Sequence, residues 1–275
     1  MLLPRIITAI LGIPIILIAI KFGGIPYFIL ITGIIFYALS EYFLLIKQGS
    51  YESHPAIGYL GALLVLLSIY FNTSTKINFS SGNYSISIAV TFVLIMLFFI
   101  ELVFRTVKGS ISRMSITLFG IFMICWTLSH LLLIRDIRPY GEQYTFYLFL
   151  LIWSVDTAAY FVGVKLGSHK LLKEISPKKS VEGTVAAIIT GAVLSIVLKQ
   201  VLKLSELSVR EIILLGIIIT IIGIFSDFSE SLLKRDAGLK DSDKLLPGHG
   251  GILDRFDSFI FAAPLFYYYL IIFHK

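Results

Sequence analysis

Nine long runs of apolar residues divide the chain, near positions 6–20, 25–46, 56–71, 86–104, 116–134, 144–167, 183–203, 211–233 and 258–273. Polar and charged residues collect between the runs rather than alternating within them. A bilayer core of about 30 Å takes roughly 20 apolar residues as a helix. The pattern therefore predicts an all-α polytopic membrane protein with about nine transmembrane helices. Membrane-spanning strands would alternate apolar and polar residues, and these runs do not. The first run follows Arg5 and ends Ile18-Ala19-Ile20-Lys21 without a small-residue cleavage site. It reads as a retained span rather than a removed leader. No internal repeat or inverted two-half symmetry of the transporter kind is visible.

Composition agrees: 57% of the 275 residues are apolar and only 15% are charged. Soluble domains average about 45–50% and 25% and rarely expose large apolar patches, so a soluble globule is excluded. The single cysteine, Cys125, lies inside an apolar run and leaves no intrachain disulfide to form.

Charge adds orientation. With nine helices and a cytoplasmic N-terminus, eight of the 23 Lys and Arg residues fall outside (Lys21, Lys76, Arg135, Arg138, Lys199, Lys203, Arg210, Lys275). The other fifteen lie inside, as the positive-inside bias requires. The two longest polar loops, 165–179 and 234–255, then share the cytoplasmic side. Residues 1–143 are expected to form a lipid-side scaffold of helices, and residues 144–275 the catalytic region.

Carboxylates embedded in apolar helices are costly and mark functional sites by default. Five qualify: Glu41, Glu101, Asp156, Asp227 and Glu230. Glu41 and Glu101 sit near helix ends, where interfacial solvation or a local Lys/Arg pair is a sufficient account. Asp227 lies seven residues before Lys234 and Asp156 nine before Lys165, about 10 and 13 Å along a helix. Both therefore sit at similar depth below one membrane face. Asp227, Glu230, Ser231 and Lys234 follow at i, i+3, i+4 and i+7, one polar stripe. Asp156, Tyr160, Gly163 and Gly167 repeat the device, with glycines that permit close helix packing.

The loops carry the rest. Ser176-Pro-Lys178-Lys179-Ser180-Val-Glu182-Gly183 stands before a helix, where lysines, hydroxyls and the helix N-terminus suit a phosphate-rich anion. The segment from Lys234 to Ser258 interleaves Lys, Arg and Asp. Its Gly248, Gly250 and Gly251 allow backbone N–H groups to converge on an anion. Asp254 and Asp257, one turn apart, open the last helix and suit a hard cation. Arg255 between them needs a carboxylate or phosphate at that positive helix end. Carboxylates for a divalent metal, cations for phosphates and a position in the bilayer together imply phosphoryl or nucleotidyl transfer involving a lipid.

The stretch Ser231–Asp257 resembles the C-terminal signature of phosphatidate cytidylyltransferases: S-x-x-K-R, four residues, K-D, then P-G-H-G-G-I-x-D-R-x-D. Asp156-Thr-Ala-Ala-Tyr160 with Gly163 and Gly167, and SPKKSVEG at 176–183, match two further elements of that family. The resemblance is strong over about 153–264. Ser180 stands where Thr is usual and keeps the hydroxyl; Asp243 stands where Gly, Ser or Ala is usual.

The resemblance implies CTP + phosphatidic acid → CDP-diacylglycerol + pyrophosphate; the loop charges place the site at the cytoplasmic face, and the short N-terminus without a signal suits a bacterial plasma membrane. It implies that Asp227 and Asp254 ligate Mg²⁺, with a second cation nearby, and form the reactive centre with Lys234 and Arg255. Lys178 and Lys179 would meet phosphate charge, and the Pro247–Gly251 turn the nucleotide or pyrophosphate. Asp156, Tyr160, Ser180, Glu182, Glu230, Ser231 and Asp257 complete the expected substrate-binding set with Gly248, His249, Gly250 and Gly251. His249 suits either a phosphate contact or a purely structural place in the loop. No nucleic-acid partner is expected, and a homodimer is left open. Alternatives are an ion-coupled transporter with buried carboxylates, an ether-lipid cytidylyltransferase and a CTP-dependent polyprenol kinase. The D-G-x-x-A-R motif of CDP-alcohol phosphotransferases is absent.

Overall fold

The computed structural model describes residues 3–74, 84–104, 107–239 and 251–274. Among these residues the chain forms nine helices and one small hairpin. They are α1 (Leu3–Phe22), α2 (Gly24–Gln48), α3 (Pro55–Ser74), α4 (Tyr84–Phe104), α5 (Ser110–Asp136), α6 (Gly141–Leu166), β1 (Lys170–Leu172), β2 (Ser176–Ser180), α7 (Val181–Val201), α8 (Val209–Asp236) and α9 (Leu253–Phe273). Seven of them, α2 and α4 to α9, are long and apolar enough to cross a membrane. Helices α1 and α3 carry shorter apolar stretches, Gly12–Phe22 and Pro55–Phe71. Each expected apolar run has its helix. Helix α9 extends the last run backwards to Leu253, so Asp254 and Asp257 do occupy its first turns.

Helix boundaries follow local chemistry. Gly23, at φ 63°, turns the chain between α1 and α2, a conformation that favours glycine. Arg135 of α5 donates from Nε to the Ile20 carbonyl at 2.7 Å, satisfying one of the orphaned acceptors at the end of α1. Helix α8 opens on a capping box in which Ser208 and Glu211 bond each other's backbone N–H groups. Midway along α5, residues Ile121–Trp126 adopt π-helical bonding. Gly120, just before it, lies against the Tyr42 ring.

The lipid-facing and protein-facing sides of α7 separate by residue size. Val185, Ile189, Val193 and Val197 are exposed, whereas Gly183, Ala187, Gly191 and Ser195 are buried, each series at a spacing of four. The small-residue seam lets α8 approach closely, the usual means of helix association in lipid. Gly191 faces the Thr220 hydroxyl and Gly216 faces Ser195, and Ser195 Oγ meets Tyr147 Oη of α6 at 2.8 Å. Gly191→Leu is expected to wedge α7 from α8 and lower the thermal unfolding midpoint in detergent by several degrees or more. An unchanged midpoint would contradict this packing.

A second polar cluster is buried near one end of α3, α4 and α5. Arg113 forms a two-pronged pair with Glu101, 2.8 Å on each prong, and a 2.9 Å contact to Glu52. His54 Nε2 lies 2.6 Å from Glu101, and its backbone N–H donates to Thr117 at 2.9 Å. Glu101 thus has the local cation partner expected of it. Glu41 does not, as the site geometry explains.

Candidate active site

The hairpin, α8 and the first turns of α9 build the site, each held by bonds its own sequence supplies. Strand β2 pairs antiparallel with β1 and ends at Ser180. The Ser180 hydroxyl accepts from the Gly183 N–H at 3.1 Å and caps α7. The Glu182 carboxylate accepts the His169 backbone N–H at 3.1 Å and meets its Nδ1 at 2.7 Å, tying the hairpin base to α7. Gly163 of α6 and Gly167 at its C-cap give room for the Ser180 hydroxyl, and Gly183 lies against the Ala159 carbonyl. The motif glycines therefore seat the hairpin on α6, and Lys179 is delivered to α8.

Helix α8 presents its stripe to both sides. Asp227 forms an ion pair with Lys179, whose ammonium also lies 4.2 Å from the centre of the Phe228 ring. Two turns on, Lys234 bridges Glu230 at 2.6 Å and Asp254 of α9 at 2.8 Å. The Glu230 side chain is 2% exposed, whereas those of Asp227 and Asp254 are each 27% exposed. Lys234 thus stands between a buried carboxylate and an accessible one.

Helix α9 is pinned to α8 by Ser226. Its hydroxyl bonds the Asp257 carbonyl and accepts the Phe261 N–H at 3.2 Å, inserting into the helical i→i+4 ladder at that point. Gly223 gives Ser258 its room on the same face. The Asp257 carboxylate lies within electrostatic reach of Asp227, Glu230 and Asp156. Asp156 of α6 lies within electrostatic reach of Asp227 and Lys179 and hydrogen-bonds Ser258.

The expected residues thus separate into groups. Asp156, Lys179, Asp227, Glu230, Lys234, Asp254 and Asp257 converge. Ser180 and Glu182 face their own helix cap and hairpin, and Ser231 is buried beside the α8 stripe. Lys178 and Arg255 are exposed, while Tyr160 is 66% exposed on the outer face of α6 against Phe161. Gly248, His249 and Gly250 lie outside the described residues. Gly251 lies against the carboxylate of Glu41.

Three contributors were not expected. Glu41 of α2 accepts the Ile252 and Leu253 N–H groups at 2.9 and 2.7 Å. Arg235 donates to the Ile175 and Leu239 carbonyls at 3.0 and 3.1 Å, fastening the hairpin turn to the end of α8. Ser226, the third, gave no sequence signal because an isolated helical serine commonly bonds its own backbone. Arg235 stands in the K-R pair of the signature, directly after Lys234.

Asp156, Asp227, Glu230, Asp254 and Asp257 gather around the ammonium groups of Lys179 and Lys234. Every donor atom is a hard oxygen, the kind a magnesium ion takes. Among the described residues no three acidic, histidine or cysteine side chains close into a metal cluster, and the lysines hold Asp227 and Asp254 instead. The donor chemistry fits a divalent cation, and the surplus of carboxylates over ammoniums leaves negative charge for one to offset.

Residues 3–273 match the profile of the cytidylyltransferase family. A protein of Bacillus subtilis (strain 168) named phosphatidate cytidylyltransferase is 37% identical over 272 residues, 98% of this chain and 97% of its own length. One of the same name from Synechocystis sp. (strain ATCC 27184 / PCC 6803 / Kazusa) is 30% identical over 294 residues, 98% of this chain and 96% of its own. A third, from Staphylococcus haemolyticus (strain JCSC1435), is 44% identical over 128 residues, 46% of this chain and 49% of its own length. The similarity extends well beyond the signature at 153–264 and takes in the N-terminal helices.

Proposed function

The chain belongs to the cytidylyltransferase family, and from that premise we propose that it transfers the cytidylyl group of CTP to phosphatidic acid, releasing CDP-diacylglycerol and pyrophosphate. The observation that carries this reading is the lysine–carboxylate junction of hairpin, α8 and α9, built on membrane-length helices. A water-soluble triphosphate and a lipid phosphate can meet only at such a boundary. The names of the relatives matched over nearly the whole chain point the same way. They leave the transporter, polyprenol-kinase and ether-lipid readings without support.

The chemistry asks little of a base. A phosphatidate oxygen, already anionic, forms a bond to the α-phosphorus of CTP as the bond to the β-phosphate oxygen breaks. The obstacle is bringing two anions together and releasing a third, which calls for placed positive charge. Lys179 and Lys234 supply it from the centre of the site, and Lys178 and Arg255 from its exposed rim. Mg²⁺ held by Asp227 and Asp254, with a second cation nearby, would neutralise triphosphate charge and polarise the phosphoryl oxygens. Asp156, Glu230 and Asp257 orient these groups. The lysine-rich hairpin, Lys47, Lys108, Lys234 and Arg235 support a cytoplasmic site under the positive-inside bias. This placement suits CTP supply in a bacterial plasma membrane.

The test is pyrophosphate release by the purified protein in detergent micelles. It is expected only when CTP, phosphatidate and Mg²⁺ are all present; a well-folded protein without that activity would sink the proposal. Lys179→Ala is expected to raise KM for CTP by about tenfold, the scale of one charge-assisted hydrogen bond, without unfolding the chain. Unchanged kinetic constants would confine this lysine to the headgroup region.

A further inference from the structure

The structure assigns Glu41 of α2 as a positioning residue for the reactive end of α9, an assignment that rests on the catalytic reading of that end. Helix α9 starts without a cap of its own: its N-cap residue is Ile252, which has no side-chain acceptor. The first amides of a helix have no intrahelical partner, and burying them unpaired is costly. The missing acceptors come from a residue more than 200 positions earlier in the chain. Glu41 Oε1 accepts the Ile252 N–H at 2.9 Å and Oε2 the Leu253 N–H at 2.7 Å.

The arrangement is tight on every side. Glu41 is 3% exposed. Gly251 packs on the carboxylate so closely that an added Cβ would lie 2.6 Å from Oε2, so a side chain there would displace the carboxylate from its place. The carboxylate also lies within electrostatic reach of Lys234 and Asp254. A negative group at a helix N-terminus is favoured by the helix dipole as well as by the hydrogen bonds. Two consequences follow. The first turn of α9, which carries Asp254, is fixed in height and rotation against α2. The amides of Ile252 and Leu253 are already taken, so this helix end does not bind phosphate through them. Among the described residues, anion recognition is left to the side-chain cations. Helix α2 is thereby part of the reactive assembly rather than a passive scaffold.

Glu41→Gln keeps the shape of the side chain but loses its charge and one acceptor; Glu41→Asp keeps the charge but is too short to reach both amides. In each variant kcat is expected to fall by about 10²-fold, the cost of a small displacement of reacting groups, with little change in KM for CTP or phosphatidate. Hydrogen exchange, read without substrate on a peptide spanning 251–258, is expected to quicken about tenfold, in line with loss of a cap, while α7, α8 and the rest of α9 keep their protection. Wild-type kcat in Glu41→Gln, or unchanged exchange at 251–258, would overturn the assignment. So would a uniform rise in exchange with a lowered unfolding midpoint, which would mark a general structural role. If the wild-type protein releases no pyrophosphate, the proposed activity fails, and the exchange measurement still decides whether Glu41 caps α9.

Discussion

Asp227→Asn is expected to abolish turnover, lowering kcat by at least about 10³-fold, the upper range for loss of one preorganised electrostatic contact. Asparagine preserves the shape of the side chain and one acceptor oxygen; it removes the negative charge and turns the other acceptor into a donor. That charge holds Lys179 and lies within reach of Asp156 and Asp257. A cation bound among these groups would lose its accessible anionic ligand, and Lys179 would lose the partner that orients it. The Lys179 ammonium is itself buried, but it keeps the Phe228 ring and its side chain is about a quarter exposed, so a small shift of the lysine restores hydration and the fold survives. Asp254→Asn should behave alike, because Asp254 is the accessible one of the two carboxylates that Lys234 bridges. Pyrophosphate release from CTP, measured beside the thermal unfolding midpoint, checks both variants. A near-wild-type rate in either would remove it from the reactive centre.

Apolar runs specify helices directly because lipid demands that every backbone group be bonded within its own segment. This is why nine runs read from the sequence correspond to nine helices among the described residues. The polar stripe on α8 was equally legible, since helical spacing places Asp227, Glu230 and Lys234 on one face whatever the tertiary structure. Partner choice was not. Lys234 reaches Asp254 on another helix, and Lys179 reaches from the hairpin to Asp227 of α8; spacing says nothing about contacts between elements. The hairpin itself was hidden, because β1 is three residues long and its strands are too short for alternation to register. Glu41 shows the limit most clearly. A lone carboxylate near a helix end has a local explanation available, and only the folded chain reveals that its partners are amides from the far end of the sequence. Glu101 looked the same in sequence and did have a local cation, Arg113.

Lys234→Met is expected to damage stability and activity together, and the two losses are separable. Lys234 is the ammonium that joins Glu230 to Asp254, and the Glu230 side chain is only 2% exposed. Removing one partner of a buried pair leaves an uncompensated charge, typically costing about 3–5 kcal/mol. The cost here belongs at the lower end, because Asp254 is partly accessible and can be solvated. A clear drop in unfolding midpoint should therefore accompany a fall in kcat of about 10²–10³-fold. Arginine should rescue neither property fully, since its planar fork cannot reproduce a point charge between two carboxylates. The double variant Lys234→Met with Glu230→Gln removes the stranded charge and should regain most of the lost stability. It should not regain activity, because the cation at Asp254 is still missing. Recovery of turnover alongside stability in the double variant would reduce Lys234 to a structural counter-ion. Recovery of stability alone separates the two tasks of this lysine: neutralising a buried carboxylate of the bundle and presenting positive charge to the phosphates at its mouth.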